Sequence, residues 1–329
     1  MKTLITSLTA VLTGCLVAFT ALAARAAPTV YIPLGVANQV IAVDAATDKI
    51  TASYPGVENA HGLVATPDGE YLVAGSLKQM PAGGKDAGMS HLFLVHPEHG
   101  HVMATIAVKG WSHHEAITHD GRYVISTHPM QGAISVVDLR NNQVAHVIKT
   151  GPTPNYTLVT RDDKRAYVSN AGNGTISEVD LVHWKVSRTL EGGPVPEHMA
   201  FSPDEKTIYV ANVRGGDVSA VDVASGKVVR TFHAGDTLHG LDMGDDGHTL
   251  FVTSKKDQKL VAIDTRTGKG RTLALSPSPY HLNTIHGTGK VYVSSSSASL
   301  IWVVDQRSLK VVDTIKLPGG HAHQMAVVE

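Results

Sequence analysis

The sequence predicts an all-β protein, a single seven-bladed β-propeller over residues 27–329. Three observations predict it. One unit recurs every 42 residues along most of the chain. Each unit carries four short runs of alternating Val, Ile, Tyr and Phe between Gly, Pro, Asp and Asn turns, with no helical periodicity. The incomplete pieces at the two ends add up to one further unit.

Residues 1–26 read as a signal peptide. Lys2 gives a positive start, Leu4 to Ala23 is apolar, and Ala24-Arg25-Ala26 fits an A-x-A cleavage site before Ala27-Pro28. A retained anchor is the alternative. The apolar sequence that continues past Leu12-Thr13-Gly14-Cys15 argues against a lipoprotein signal. The expected mature protein is periplasmic or secreted and off the membrane. Cleavage removes Cys15, the only cysteine, so no disulfide or thiolate ligand is available. Loss of Lys2 and Arg25 takes the formal charge from −1 to −3. No basic stretch points to nucleic acid, and no polybasic segment points to a membrane surface.

The unit from Pro196 to Phe232 shows the parts in order. His198–Ser202 is the first strand, Pro203-Asp204-Glu205-Lys206 a turn, and Thr207–Asn212, Asp217–Asp222 and Lys227–Phe232 the remaining strands. The first turn recurs as Pro67-Asp68-Gly69, His119-Asp120-Gly121, Arg161-Asp162-Asp163 and Asp245-Asp246-Gly247. The aspartate closing strand three recurs as Asp44, Asp138, Asp180, Asp222, Asp264 and Asp305, with His96 in that slot of blade one. Six complete blades begin near residues 60, 112, 154, 196, 238 and 280. Strands two to four of the last blade come from Thr29–Tyr54 and its first strand from His323–Val328. This closes the ring and removes the open edges.

His61, His113, Asn155, Glu197, His239, His281 and His323 fall at one phase of the repeat, at the start of the innermost strand. The spacing is 42 throughout, except for 52 between His61 and His113. The ten extra residues fall in a Gly-rich insertion at 77–90, which emerges at the same mouth as a lid or a plain surface loop; its Met80 and Met89 offer thioethers suited to copper(I). Inner strands run around one axis, so equivalent residues approach one another. His61, His113, His239, His281 and His323 are therefore the primary metal-ligand set. Copper is the leading metal for an all-nitrogen set in a thiol-free exported protein, and zinc is its rival. Crowding is expected to keep the imidazoles neutral by mutual repulsion.

His114 and His198, one residue further along, are secondary ligands if the strand bulges and blade-interface residues if it does not. His128, at the end of strand two in blade two, is a further secondary ligand or proton carrier. Glu197 is a ligand, an acceptor fixing an imidazole tautomer, or a general base. Lys78 is placed to hold an anion or is a surface lysine. Catalytic candidates are thus Glu197, His128 and Lys78. His91, His96, His99 and His101 form a loose outer cluster. His119, His146, His183, His233 and His248 have no coherent phase, His286 fills a turn slot in blade six, and His321, two residues before His323, shares its face or caps the loop.

Tyr167-Val-Ser-Asn170 with Gly174-Thr-Ile-Ser-Glu-Val-Asp180, and Tyr209-Val-Ala-Asn212 with Asp217-Val-Ser-Ala-Val-Asp222, resemble the YVTN-type repeat of bacterial and archaeal propellers. That group resembles the haem-d1-binding propeller of cytochrome cd1 nitrite reductases and their assembly proteins. The resemblance covers nearly all of the mature chain and speaks for the fold, since the repeat motif is scaffold. The histidine ring resembles the copper sites of nitrous oxide reductase and thiocyanate dehydrogenase propellers, and His113-His114 is similar to the paired histidines of the first. The chain departs from them in lacking a cysteine-bearing second copper domain and in Asn155 and Glu197. The resemblance implies a copper-dependent oxidoreductase acting on a small molecule, with a periplasmic electron-transfer protein as a candidate partner. The alternatives are a non-catalytic protein that carries metal from a donor or binds a haem-d1-type tetrapyrrole, and a YVTN scaffold for protein contacts.

Overall fold

The computed structural model describes residues 27–329 except 82, 85 and 86; the leader expected at 1–26 lies outside the described residues. Seven four-stranded antiparallel sheets are arranged as a propeller, and among the described residues the only helical turns are Gly35–Ala37 and Pro129–Gln131. The seventh sheet has the expected composite origin. C-terminal Ala326–Val328 pairs antiparallel with N-terminal Thr29–Leu34, Tyr31 facing Ala326 and Thr29 facing Val328, and a single bridge joins Leu34 to Ala322. The C-terminal strand is shorter than expected, because the chain from His323 to Met325 bulges away from its partner.

The hydrophobic core is divided into seven clusters, one at each blade interface. Strands two and three of every blade bury both faces, as in Leu250–Val252 or Ile301–Val304. This is why they read as runs of Val, Ile and Tyr. Outer strands alternate, with one face in solvent.

The recurring polar residues are turn hardware. Asp68, Asp120, Asp162 and Asp204 each accept the hydroxyl of a Thr or Ser two residues earlier at 2.6–2.7 Å. The aspartates closing strand three accept backbone N–H groups two or three residues on, as Asp222 does from Ser225 at 2.7 Å. In blade one His96 takes that role, its Nδ1 accepting the N–H of His99 at 3.4 Å. The His96–His99 stack, with ring centroids 4.1 Å apart, therefore belongs to a turn.

What positions the site is a β-bulge in every inner strand. In blade four Pro196 pairs with Asn212 and Met199 with Val210, so Glu197 and His198 together oppose Ala211. The same irregularity occurs in blades one, three, five and six. In blade two His113 donates to Thr127, whose own N–H donates to His114. Each bulge turns two consecutive residues toward the channel instead of one. The residue just before the inner strand is left-handed in five blades (Asn59, Thr153, Val195, Thr237 and Ser278), with φ of 45–61°. For β-branched Thr and Val this conformation is strained, and the strain sits at the channel mouth.

Candidate metal centre at the channel mouth

The bulges create two tiers of channel-facing residues. The upper tier is His61, His113, Asn155, Glu197, His239, Tyr280 and His323. The lower tier is Gly62, His114, Tyr156, His198, Gly240, His281 and Gln324. This corrects one sequence expectation. His281 is not at the phase of His239; Tyr280 is. Pro279, not Tyr280, matches Leu238 in pairing, because the outer strand of blade five lacks the bulge that its counterparts carry and so has one residue fewer. An extra residue in the loop after Lys316 restores the phase at His323. His281 thus lies one tier deeper than the other four primary candidates.

Both tiers nevertheless join into one cluster. His61, His113, His114, His198, His239, His281 and His323 form a continuous set of ring contacts with centroids 4.1–5.6 Å apart. His281 is the hub, meeting His61, His114, His198, His239 and His323. Among the described residues, three triads have ligand atoms within 4.8 Å of one another: His61–His281–His323, His61–His113–His114 and His114–His198–His281. They share corners. His61, His114 and His281 form an inner triangle, and His323, His113 and His198 each cap one edge.

The donor set fits metal ions. His61 Nδ1 and Nε2, His113 Nδ1, His114 Nε2, His198 Nε2, His281 Nδ1 and His323 Nδ1 are buried without a hydrogen-bond partner. Buried polar atoms are ordinarily satisfied, and seven such nitrogens facing one another need a common partner. The surroundings set individual tautomers. His114 Nδ1 donates to the Asn155 carbonyl at 3.0 Å, which leaves Nε2 as the lone pair facing the cluster. His239 Nδ1 lies 2.8 Å from Glu197 Oε2, and its Nε2 is 3.4 Å from His281 Nε2. Glu197 thus occupies the position of an acceptor that orients an imidazole. Burial pushes its carboxyl pKa up, against the pull of His198, His113 and Lys255.

All seven imidazoles are held below the usual histidine pKa: His113 and His323 at about 4, His239 at about 3, and His61, His114, His198 and His281 well below the ordinary value. Loss of hydration is the first cause and repulsion by neighbouring imidazoles the second, the reverse of the emphasis the sequence suggested. They are neutral, as ligation requires. The linkage is directional. The unfolded chain takes up protons near pH 6.5 and the folded chain does not until about pH 4, so stability is complete above 6.5 and falls on acidification. Metal-free protein is expected to lose on the order of 3 kcal/mol or more between pH 7 and pH 4.5, read as a shift of the urea midpoint. Glu115, whose pKa burial raises to about 7, works in the opposite sense and softens the loss. An unchanged midpoint would mean the imidazoles are hydrated.

Two sequence candidates stand apart. His128 has both ring nitrogens engaged, Nδ1 with the Trp111 carbonyl at 2.7 Å and Nε2 with Ser135 at 2.8 Å. It fills the strand-two position where Asn170 and Asn212 bond Ser177 and Ser219, so it is a strap of the blade and offers no free nitrogen to a metal or a proton path. Lys78 pairs with Glu58 at 2.9 Å on the exposed rim. His321 caps a loop carbonyl, and His119, His183, His233, His248 and His286 pair with rim aspartates.

The sequence reading missed several residues. Tyr280 stacks on His239 with centroids 4.0 Å apart and planes 9° apart, and Lys255 Nζ lies over the Tyr280 ring, 5.0 Å from its centre. Tyr156 stacks on His198 at 4.6 Å. Gln324 clamps the backbone of Glu115 with bonds of 3.1 and 2.7 Å, tying the closing strand to blade two beneath the cluster. The signal for Tyr280 was present. Pro154, Pro196 and Pro279 open their inner strands alike, which puts His281 level with His198. Cavities of about 610 and 590 Å³ lie at the opposite face, around Lys290 and around Arg161 and Asp242.

No protein-family model and no curated protein matches the chain. Solved structures do. Hydrazine synthase of Kuenenia stuttgartiensis is 20% identical, with a TM-score of 0.67 over 78% of this chain and 86% of that one. The dihydro-heme d1 dehydrogenase NirN, solved in complex with DHE, is 15% identical, with a TM-score of 0.66 over 88% of this chain and 64% of that one. The periplasmic gluconolactonase PpgL of Pseudomonas aeruginosa is 17% identical, with a TM-score of 0.74 over 92% and 99%. At these identities the likeness establishes the propeller fold, which hosts unrelated chemistries, so function rests on the site.

Proposed function

We propose that the protein is an exported metal-binding propeller, with copper as the metal, that acts as an oxidoreductase on a small molecule at the histidine mouth. One observation carries this reading: six imidazoles from five blades present seven unpartnered buried nitrogens to one another. An all-imidazole set without thiolate suits copper, which stands highest among the divalent ions in affinity for nitrogen ligands. When bound, copper supplies one-electron redox chemistry. The chain's own groups do the rest. The Asn155 carbonyl and Glu197 hold His114 and His239 in one tautomer each. The surrounding tiers exclude water from the lower imidazoles. Export is supported by the leader-like residues 1–26 and by likeness to the periplasmic gluconolactonase PpgL; among the described residues no helix is long and apolar enough to cross a membrane. A tetrapyrrole, as in the NirN complex, would have to sit above the cluster, because centroid spacings of 4.1–5.6 Å leave no room within it.

Elemental analysis and the visible spectrum of protein isolated from its native compartment test the proposal. Two or more copper ions per chain with visible absorption are expected. One exchangeable ion points to carriage, zinc to the rival metal, and red-shifted macrocycle bands to a tetrapyrrole. Trace metal alone contradicts the reading.

A further inference from the structure

Among the described residues, the rim of the histidine mouth carries an unpaired cation held against an aromatic ring of the site, Lys255; Arg214, in the matching turn of blade four, also lacks an ion pair but is exposed. Lys78 pairs with Glu58, Lys256 with Asp236 and Lys259 with Asp257, at 2.5–3.2 Å. Lys255, in the turn after strand two of blade five, has no ion pair among the described residues and is only partly exposed. Its Nζ lies 5.0 Å from the centre of the Tyr280 ring, which in turn stacks on His239 at 4.0 Å. His239 reaches both Glu197 and His281. Lys255, Tyr280 and His239 therefore form a column that starts at solvent and ends on the hub of the cluster. The ammonium is close enough to act electrostatically on both Glu197 and His239.

A lysine head group restrained against an aromatic surface keeps much of its charge available to a third group. Glu197, on which the ammonium acts, is already engaged by His239 at 2.8 Å. Centroid spacings of 4.1–5.6 Å across the cluster leave no room there for a bulky ligand. We infer that Lys255 and Tyr280 form the entry subsite for a small monoanion, which the ammonium draws to the mouth and the tyrosine face lines on its way to the imidazoles. Resting on the proposed metal reading, the inference supplies the substrate class of that site. It also moves the anion-holding role from Lys78 to Lys255.

Azide is the probe, titrated into the copper-loaded full chain and followed by its charge-transfer band. Lys255→Gln should weaken azide binding about tenfold, the size expected for one partly screened charge. Lys255→Arg should recover most of the affinity, and Lys78→Gln should leave it unchanged. Copper content and circular dichroism of each variant, measured alongside, separate loss of the anion site from loss of metal or fold. Equal azide affinity in wild type and Lys255→Gln overturns the inference, whatever the copper content. If copper does not bind at all, the metal reading has failed, and azide-reversible broadening of the chloride NMR line on the metal-free chain takes over. That broadening should shrink in Lys255→Gln; an unchanged width there overturns the inference as well.

Discussion

Replacing His281 with alanine should strip the protein of most of its metal. His281 is 1% exposed and touches five other cluster imidazoles, and it belongs to two of the three triads. Perturbing a group behind a ligand costs about 10–100-fold in affinity, and deleting a shared ligand should cost at least the upper figure. Metal content at a fixed buffered copper concentration should fall by half or more. His323→Ala, which removes an edge cap in a single triad, should cost less. The ordering His281 before His323 follows from geometry and not from the repeat, which makes the two equivalent. Equal losses, or none, would mean that the inner triangle does not hold the ions.

Gly240→Ala should do nearly as much damage without touching an imidazole. Gly240 occupies the lower tier of blade five, beside His239. A Cβ there would lie 2.6 Å from the Tyr280 carbonyl oxygen, 2.7 Å from the Leu282 nitrogen and 3.0 Å from the His281 carbonyl carbon. All three are backbone atoms of the next blade and cannot rotate away. The two inner strands must separate by several tenths of an ångström, which typically costs about 1–3 kcal/mol in a packed interior. The separation falls between His239 and His281, whose Nε2 atoms are 3.4 Å apart. The variant should therefore show a lower urea midpoint together with weaker metal binding. Gly62→Ala makes an instructive contrast. There the nearest obstacle is a side chain, the buried Glu115 carboxylate held by Ser112 and Ser126, and the nearest backbone atom in the way is the His114 Cα at 2.8 Å. A Gly240→Ala protein with wild-type midpoint and metal content would show that blades five and six are not in register at the site.

Much of this molecule could be read from its sequence, and the exceptions have physical causes. Blade count, closure and the insertion followed from spacing, because turn aspartates such as Asp204 and Asp222 do the same local job in successive blades. Six of the seven upper-tier residues were legible for the same reason; Tyr280 was not. The lower tier was legible only in part, since strict alternation turns His114 and His198 away from the axis and they could be named only on condition of the bulge that the strands carry. His281 kept the right spacing for the wrong reason, a missing bulge in one outer strand and an added loop residue in the next. His128 looked like a ligand because it ends a strand at the mouth, yet it replaces an asparagine whose partners it inherits. Lys255 carried no distinguishing sequence signal; its standing comes from the pairing of its neighbours.

The central claim, that imidazoles far apart in the chain meet to bind metal, is tested most directly by an anomalous difference map at the copper edge from crystals of the loaded protein. The strongest peaks are expected inside the triangle of His61, His114 and His281. Peaks at the outer turn of His96, His99 and His101 with the channel mouth empty would contradict it.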